Sequence, residues 1–186
     1  DALVTKQDGK WIKTSTEEYI AKANAISRAL VEMGVQKNDK IAIISTNNRT
    51  EWNIMVIGIL QTGAQTIPIY PTISEVDYEY ILNHSESTYC FVSDEEVLRK
   101  VNAIKSNVPT LKEVYSFNTI QGCNHWSELL ELGKDEANQK LVDFRKVALF
   151  GIPTILSVFP KGVSMASKAT VPTTKRLIIL NFIYMN

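Results

Sequence analysis

Short apolar runs alternate along the chain with longer segments in which apolar residues recur at helical spacing. The clearest example lies within residues 40–72. A β-branched run at 41–44 is followed by a polar turn, an apolar segment of helical length at 51–60, and a second β-branched run at 66–69. This order of strand, helix and strand predicts a βαβ unit, in which the two strands are parallel.

The same alternation continues along the chain. Strands are expected where β-branched and aromatic residues cluster, and helices where apolar residues recur every three or four positions. Because helices separate the strands, we predict an α/β fold with a mostly parallel, doubly wound sheet flanked by helices. The predicted strands lie near 41–45, 66–69, 89–92 and 114–117, and the predicted helices near 15–33, 50–62, 75–84, 94–105 and 126–132.

Turn and capping residues mark the ends of these elements. Asp8-Gly9, a dipeptide that favours tight turns, lies between two apolar stretches and predicts a short amino-terminal hairpin. A capping box, in which a small polar residue precedes a polar or acidic residue by three positions, predicts four helix starts. The four pairs are Ser15 with Glu18, Asn48 with Glu51, Ser74 with Asp77, and Ser93 with Glu96.

The composition is that of an ordinary globular protein of 186 residues, with 45% apolar and 22% charged residues. A formal net charge of zero argues against a nucleic-acid binder, which needs a basic face. Two cysteines, Cys90 and Cys123, are too few for a disulfide scaffold and indicate a reducing compartment. Because no secretory signal and no apolar run of ~20 residues is visible, we expect a cytoplasmic location.

Charge is distributed unevenly along the chain. All 20 acidic residues lie within residues 1–143, which also carry 14 basic residues and so have a net charge of −6. Residues 144–186 contain six basic residues and no acidic residue, and their apolar positions show no helical period. We therefore predict an amino-terminal α/β subdomain at 1–143 and an irregular basic tail at 144–186. Because the tail lacks capping signals, we expect a chain that ends near Asp143 to be no less stable than the full chain.

Few residues before the tail suggest a reactive site. The polar turn at 45–49 follows the first parallel strand, where open α/β sheets bind ligands, but it has no glycine and matches no phosphate-binding loop. Helix capping and a solvated Arg49 are the favoured interpretation. His84 is interpreted as a solvated or capping histidine, and Cys123 with His125 lacks the further ligands of a zinc site, so no metal site is predicted. Four apolar side chains at helical spacing are assigned to the core, not to a cofactor site: Trp52, Met55, Ile59 and Leu60.

Short motifs within residues 3–132 occur in a specific order and spacing. They are Asp8-Gly9-Lys10-Trp11 before Thr16-Glu17-Glu18-Tyr19, Gly34-Val35 before Asp39-Lys40-Ile41-Ala42-Ile43, Asn48-Arg49-Thr50-Glu51-Trp52, Gly63-Ala64, and Pro68-Ile69-Tyr70-Pro71-Thr72. Together they resemble the amino-terminal part of the AMP-forming (adenylate-forming) acyl-CoA synthetases. The third and the last motif favour the branch of long-chain fatty-acid–CoA ligases.

The resemblance implies a two-step reaction that uses ATP, CoA, Mg²⁺ and a fatty acid. The carboxylate attacks the α-phosphate of ATP to give an acyl-adenylate and pyrophosphate, and the CoA thiol then displaces AMP. The family holds the phosphates with a Ser/Thr/Gly-rich loop that ends in Pro-Lys-Gly, and it binds adenine, ribose and Mg²⁺ through later motifs.

This chain keeps only the end of that loop. Pro160, Lys161, Gly162 and Val163 match, but residues 155–159 are mostly β-branched, aromatic or otherwise bulky and resist the required backbone turn. Lys161 and Gly162 are therefore the candidate cofactor-binding remnant of the phosphate loop. No catalytic residue is carried over from the family, and no cofactor is expected to bind to this chain alone.

Three explanations of the atypical tail stay open. A reading-frame error or a truncated gene would change the composition abruptly near Val142, and this explanation is favoured. A divergent tail would instead dock on an anionic membrane, since its basic residues lie beside the apolar run at 177–180. A fragment boundary set by an experimenter would explain the missing ends but not the altered loop.

Two functions follow from these observations. In the favoured one, the chain is a fragment of an ATP-dependent long-chain fatty-acid–CoA ligase and is inactive alone. In the alternative, it is a non-catalytic α/β module that binds a protein partner or a membrane surface through its basic tail. Peripheral membrane contact and self-association are expected, because the tail is basic and a fragment leaves apolar surface bare. Nucleic acid is not an expected partner.

Overall fold

The structure of the chain is a computed structural model that describes residues 1–7 and 9–150. Residues from 151 onward, including Lys161 and Gly162, lie outside the described residues, as do the side chains of residues 7 and 147–150. In the described part, an antiparallel hairpin precedes a five-stranded parallel sheet that has helices on both faces. The predicted α/β fold class is confirmed.

The amino-terminal hairpin consists of β1 (Leu3–Gln7) and β2 (Lys10–Thr14). The two strands pair along their whole length, from Leu3 with Thr14 to Gln7 with Lys10, and the predicted amino-terminal hairpin is confirmed. Gly9 has a φ of +79°, a left-handed conformation that residues with a side chain disfavour. The hairpin is a separate sheet from the main one.

The main sheet contains five strands, which are β3 (Lys40–Ile44), β4 (Gln65–Ile69), β5 (Tyr89–Val92), β6 (Glu113–Ser116) and β7 (Asn124–His125). Their order is β4-β3-β5-β6-β7, and every neighbouring pair is parallel. The chain therefore places β4 on one side of β3, and then adds β5, β6 and β7 in turn on the other side. The sequence did not predict β7, because a two-residue strand has no period to detect.

Six α-helices lie in the described part of the chain: α1 (Thr16–Glu32), α2 (Thr50–Gln61), α3 (Glu75–Ser85), α4 (Glu95–Ile104), α5 (Ser127–Leu132) and α6 (Gln139–Phe150). A short 3-10 helix, Lys105–Asn107, follows α4. The five predicted helices and the four predicted strands are confirmed, each within one residue of its expected ends.

An apolar cluster lies on each face of the sheet. Successive residues of a strand point to opposite faces, so Ile41 and Ile43 pack with side chains of α1, α2 and α5, whereas Ala42 and Ile44 pack with those of α3 and α4. All four are fully buried. Burial on both faces explains why β3 is apolar along its length instead of alternating with polar residues. The predicted core positions Met55 and Ile59 are also fully buried, with Trp52 and Leu60 packed beside them.

The contact between α1 and α2 depends on a residue without a side chain. A Cβ atom added to Gly58 of α2 would lie 2.5 Å from the Cγ2 atom of Ile26 in α1. In the same contact, the Ser27 hydroxyl lies 3.0 Å from the Gly58 carbonyl oxygen. The two helices therefore pack at a distance that no larger residue at position 58 would allow without displacement.

Two of the predicted helix caps are confirmed. The Ser15 hydroxyl oxygen accepts a hydrogen bond from the Glu18 N–H at 3.1 Å. Ser74 and Asp77 form a complete capping box, in which each side chain accepts a backbone N–H of the other residue. Local sequence therefore determines where α1 and α3 begin.

The other two predicted caps are wrong. The N-cap of α2 is Arg49, not Asn48, and it makes no side-chain capping bond. The N-cap of α4 is Asp94, not Ser93, because its carboxylate accepts the Val97 N–H at 3.1 Å. A carboxylate is a stronger acceptor than a hydroxyl, so Asp94 takes the position that Ser93 was expected to fill.

The predicted boundary at residue 143 falls inside α6, which packs on the rest of the domain. Val142 is fully buried. Arg145 donates hydrogen bonds to the Val35 carbonyl oxygen at 2.8 Å and to the Thr62 carbonyl oxygen at 3.4 Å, just beyond the ends of α1 and α2. Carbonyl oxygens at these positions lack helical donors and attract cations. Where the subdomain ends stays a prediction, but helical structure continues past the change in composition.

These contacts argue against the expectation that a chain ending near Asp143 is no less stable than the full chain. We expect Arg145→Met to lower the free energy of unfolding by about 2 kcal/mol, because a charged hydrogen bond contributes about 1.5–3 kcal/mol. Lys140→Met is the matched control, since Lys140 is exposed on the same helix. Thermal unfolding of both variants measures the effect. Equal melting temperatures would contradict the role given to Arg145.

Candidate functional site

The carboxyl ends of the parallel strands lie at one edge of the sheet, and the candidate site lies there between β3 and β5. β3 leads into α2 on one face, whereas β5 leads into α4 on the other face. Because these connections diverge, they leave a crevice between the carboxyl ends of the two neighbouring strands. Open α/β sheets bind ligands at such a point, so the loops after β3, β4, β5 and β6 define the candidate site.

Arg49 joins three of these loops. Its guanidinium donates hydrogen bonds to both carboxylate oxygens of Glu51, at 3.1 and 3.2 Å. It also donates to the Ser93 carbonyl oxygen after β5, at 3.3 Å, and to the Asn118 Oδ1 atom after β6, at 3.0 Å. The guanidinium carbon lies 5.1 Å from the centre of the Phe117 ring, within the range of a cation–π contact. We call these five residues the Arg49 clamp.

The expectation of a solvated Arg49 is therefore wrong. Its side chain is only 13% exposed, and a partly buried guanidinium is stable only when its N–H groups find acceptors. The sequence showed one of those acceptors, Glu51, which was interpreted as half of a capping box. Asn118 is 69 positions away in the chain, so no local pattern connects it to Arg49.

The clamp also changes the acidity of Glu51. Burial by itself would raise the pKa of the Glu51 carboxyl, but the hydrogen bonds and the charge of Arg49 outweigh burial and hold that pKa below its ordinary value. Glu51 is therefore ionised at neutral pH and neutralises the guanidinium. The pair gives a fixed link between loops and leaves little free positive charge for a bound anion.

A second polar cluster lies beside the clamp. The Asp94 carboxylate accepts hydrogen bonds from the Ser93 hydroxyl at 2.6 Å and from the Thr46 hydroxyl at 2.8 Å, in addition to the Val97 N–H. The Thr46 N–H donates to the Ser93 hydroxyl oxygen at 3.1 Å. Burial would raise the pKa of Asp94, but these bonds outweigh it and lower that pKa. Asp94 therefore stays ionised and ties the loop after β3 to the start of α4.

Two shallow depressions adjoin Thr46 at this edge. One, of about 340 Å³, is lined by Thr46, Pro71, Thr72, Glu96, Val97 and Lys100. The other, of about 310 Å³, is lined by Ser45, Thr46, Asn47, Asn48 and Trp52. Both offer hydroxyl, amide or charged groups instead of an enclosed apolar pocket of the kind that holds most small ligands.

The loop after β4 is fixed through one carbonyl group. The Pro71 carbonyl oxygen accepts a hydrogen bond from the Tyr78 hydroxyl at 2.9 Å and from the Lys100 ammonium at 3.4 Å. Burial raises the pKa of Tyr78 to about 12, so its hydroxyl remains a donor at neutral pH. Each of the four loops at the carboxyl edge is thus tied to a neighbouring element.

His125 has a structural role that the sequence did not suggest. Its Nε2 atom lies 2.8 Å from the Phe117 carbonyl oxygen, and its Nδ1 atom lies 2.6 Å from the Ser127 hydroxyl oxygen. Because a carbonyl oxygen only accepts, we assign the proton to Nε2 and the acceptor role to Nδ1. The ring supports the backbone of the residue whose side chain contacts Arg49. His84, which was interpreted as solvated or capping, is exposed in the last turn of α3 and stacks on Tyr80.

The two cysteines are poor candidates for nucleophiles. Burial raises the pKa of Cys90 to about 12, and burial is also the main cause that raises the pKa of Cys123. Both thiols therefore stay protonated at neutral pH, whereas the thiolate is the reactive form. Cys123, whose pairing with His125 was considered for a metal, instead directs its sulfur toward the Val114 carbonyl oxygen at 3.6 Å.

Residues 1–7 and 9–150 contain no group of three or more His, Cys, Asp or Glu side chains that could hold a metal ion. No helix in this part of the chain is long and apolar enough to cross a bilayer.

The role of Lys161 and Gly162 stays a prediction, since both lie outside the described residues. The described residues at the carboxyl edge supply polar groups on loops that are hydrogen-bonded to one another.

The family is decided by a match that covers most of the sequence. A sequence model described as AMP-binding enzyme matches residues 1–170. The chain belongs to the AMP-binding enzyme family. The described carboxyl edge, with its clamp and its two depressions, is therefore the edge of an AMP-binding enzyme domain.

Two relatives illustrate the similarity within the family. The chain is 32% identical over 126 residues to a long-chain-fatty-acid–CoA ligase of Mycobacterium bovis, a match that covers 68% of this chain and 21% of the relative. It is 30% identical over 143 residues to fatty acyl-CoA synthetase A of Dictyostelium discoideum, covering 75% of this chain and 20% of the relative. The chain spans about a fifth of the length of these curated relatives. The resemblance to acyl-CoA synthetases of the long-chain branch is confirmed.

A solved structure has the same fold. The fatty acyl CoA synthetase of Mycobacterium tuberculosis superposes with a TM-score of 0.56 at 20% sequence identity, and the superposition covers 64% of this chain and 23% of that protein. At this identity the likeness concerns the fold alone. It agrees with the parallel sheet and flanking helices of this AMP-binding enzyme domain.

The Arg49 clamp makes a prediction about stability. We expect Arg49→Met to lower the free energy of unfolding by about 2–3 kcal/mol, because Glu51 and Asn118 lose a partner in a partly buried position. Arg99→Met is the matched control: Arg99 lies 3.3 Å from Glu75, but its side chain is 66% exposed, and such pairs contribute about 0–1 kcal/mol. Urea unfolding measures both. Similar losses in the two variants would contradict the clamp.

The lowered pKa of Glu51 makes a prediction about pH. An unfolded glutamate has a pKa of about 4.3, so the stability that the ionised Glu51 contributes is fully present above that pH. It is lost as the pH falls through the lower pKa of the folded state. The difference in melting temperature between the unchanged chain and Glu51→Gln should therefore be constant from about pH 7 to pH 5 and should shrink toward about pH 3. A difference that stays the same at acid pH would contradict this role of Glu51.

Proposed function

We propose that this chain is the amino-terminal part of an ATP-dependent long-chain fatty-acid–CoA ligase. The observation that carries the proposal is the family match over residues 1–170, together with relatives named as long-chain-fatty-acid–CoA ligases. Such a ligase joins a fatty acid to CoA in two steps, through an acyl-adenylate that forms with release of pyrophosphate. In this proposal the reactants are a fatty acid, ATP and CoA, with Mg²⁺ as the metal.

The described residues would contribute a frame to that enzyme. Adenylation of a carboxylate depends on holding two reactants in line and on neutralising phosphate charge. The Arg49 clamp and the bonds of Asp94 fix the loops at the carboxyl edge, which is where an α/β sheet presents ligands. Arg49 is itself neutralised by Glu51, so its role is to position the loops and not to bind phosphate.

We further propose that the chain is inactive alone. It spans about a fifth of the length of its relatives, so most of a ligase lies outside it. The family holds ATP phosphates with a loop rich in serine, threonine and glycine, whereas residues 155–159 here are Ile-Leu-Ser-Val-Phe. Lys161 and Gly162 remain as the end of that loop, which is too little to surround a phosphate group.

Two observations support the residues after 143 as native sequence, although their charge differs from that of residues 1–143. The family match continues through residue 170, and α6 packs its Val142 and Arg145 against the domain. Both observations favour a native continuation past residue 143 over a change of reading frame near Val142. We therefore propose that the altered phosphate loop belongs to a chain that diverged after this point. Sequencing the transcript from the codon of residue 130 onward tests it, because a frame change would appear as a shift at one position.

The proposal predicts that the purified chain releases no pyrophosphate from ATP in the presence of palmitate and Mg²⁺. The physical reason is that the loop that should surround the phosphates has bulky side chains where it needs glycine. A coupled pyrophosphate assay measures the rate, with the Mycobacterium bovis ligase as the positive control. Palmitate-dependent release by the chain would contradict its inactivity, and Lys161→Ala would then test whether the remnant loop takes part.

A further inference from the structure

The amino-terminal hairpin presents a face with basic and apolar side chains to solvent. Cross-strand pairs of an antiparallel hairpin point to the same side, so Val4 with Lys13 and Lys6 with Trp11 share one face. Val4 is 49% and Trp11 is 67% exposed, and both lysines are exposed. We call these four residues the outer face.

The opposite face of the hairpin is turned toward the domain. There the Thr5 hydroxyl is hydrogen-bonded to the Thr50 hydroxyl at the start of α2, and Thr14 is buried. Ile12, on the same face as Thr5 and Thr14, is 49% exposed, so that face covers the domain only in part, whereas all four side chains of the outer face are exposed. A tryptophan held on a fixed strand there loses little conformational freedom when it contacts another surface.

Charge separates the hairpin from the rest of the described domain. Residues 1–14 carry three lysines and two aspartates, a net charge of +1, whereas residues 15–150 carry 18 acidic and 13 basic residues, a net charge of −5. On the outer face, Lys6 lies 5.9 Å from the Trp11 ring centre and Lys13 pairs with Asp1 at 2.9 Å. The Lys13–Asp1 pair is largely exposed, so it holds Lys13 weakly. An anionic surface would therefore attract the hairpin and repel the remainder.

The size of the outer face argues against a stable protein partner. Two paired strands of five residues present a face about 17 Å long and about 10 Å wide. That is about 170 Å², far below the ~800 Å² that each partner buries in a typical specific interface. A lipid surface has no such requirement, because a few lysines near anionic head groups and one aromatic ring at the interface already give measurable binding.

We propose that the hairpin binds the surface of an anionic phospholipid membrane through this outer face. Trp11 enters the interfacial region, where its ring meets acyl chains and its indole N–H meets head groups. Lys6 and Lys13, the two lysines of the outer face, lie at head-group level with their aliphatic stems along the interface. The acidic remainder of the domain stays on the water side. The proposal concerns surface contact and holds whether or not the chain is part of a ligase.

The test uses the full chain with vesicles of phosphatidylcholine, either pure or with about one-third phosphatidylserine. The chain has three tryptophans, and Trp11 is far more exposed than Trp126, which is 7% exposed. We expect the emission to shift to shorter wavelength with anionic vesicles and to be quenched by brominated acyl chains. Both signals should be absent in Trp11→Phe and with pure phosphatidylcholine, and the binding should weaken at high salt.

A pair of charge variants separates the hairpin from the basic tail. Each lysine near an anionic surface changes the partition coefficient about fivefold, so Lys6→Gln with Lys13→Gln, which removes both lysines of the outer face, should lower it about 25-fold. The matched control is Lys175→Gln with Arg176→Gln, which removes the same charge beside the apolar run at 177–180. The proposal is overturned if the hairpin variant binds like the unchanged chain, or if anionic vesicles leave the Trp11 emission unaltered. Binding lost in the tail variant alone would assign the contact to the tail.

Discussion

The carboxyl edge of this sheet depends on the hydrogen bonds of one partly buried guanidinium. Parallel strands end side by side, so the loops that follow them need bonds between loops to keep a common shape. Arg49 supplies such bonds to Glu51, Ser93 and Asn118, and its planar group rests on the Phe117 ring. Because the guanidinium is always charged and largely excluded from water, these acceptors are required and not optional.

Most strands and helices were predictable from local sequence patterns, whereas the hydrogen bonds between the loops at the carboxyl edge were not. β3 is recognisable because burial on both faces selects a continuous β-branched run, and α3 because Ser74 and Asp77 cap it within one turn. The prediction that Arg49 is solvated was wrong because its hydrogen-bond partners follow strands that are far apart in the chain. Asn118 is one such partner, and only the folded sheet brings it to 3.0 Å. The sequence pointed to residues 45–49 alone, whereas the folded site also includes Ser93 and Asn118 from the loops after β5 and β6.

The family assignment and the geometry agree on what this part of the molecule can do. The described residues of this AMP-binding enzyme domain offer fixed loops, hydroxyl groups and neutralised charges at the edge where α/β sheets bind ligands. Thiol chemistry is disfavoured because burial keeps both cysteines protonated, and His125 uses both ring nitrogens to support the loop after β6. Positioning is thus the role that the residues support, and the proposed ligase would obtain its reactive groups elsewhere.

Amide hydrogen exchange in Arg49→Met tests the central claim most directly, since it reads each loop separately. If one guanidinium holds the carboxyl edge together, protection should fall in all three loops, after β3, β5 and β6, while the amides of β3 itself keep theirs. Arg99→Met should leave the three loops unchanged. Loss of protection confined to residues 45–51 would contradict the account, because Arg49 would then stabilise only its own loop.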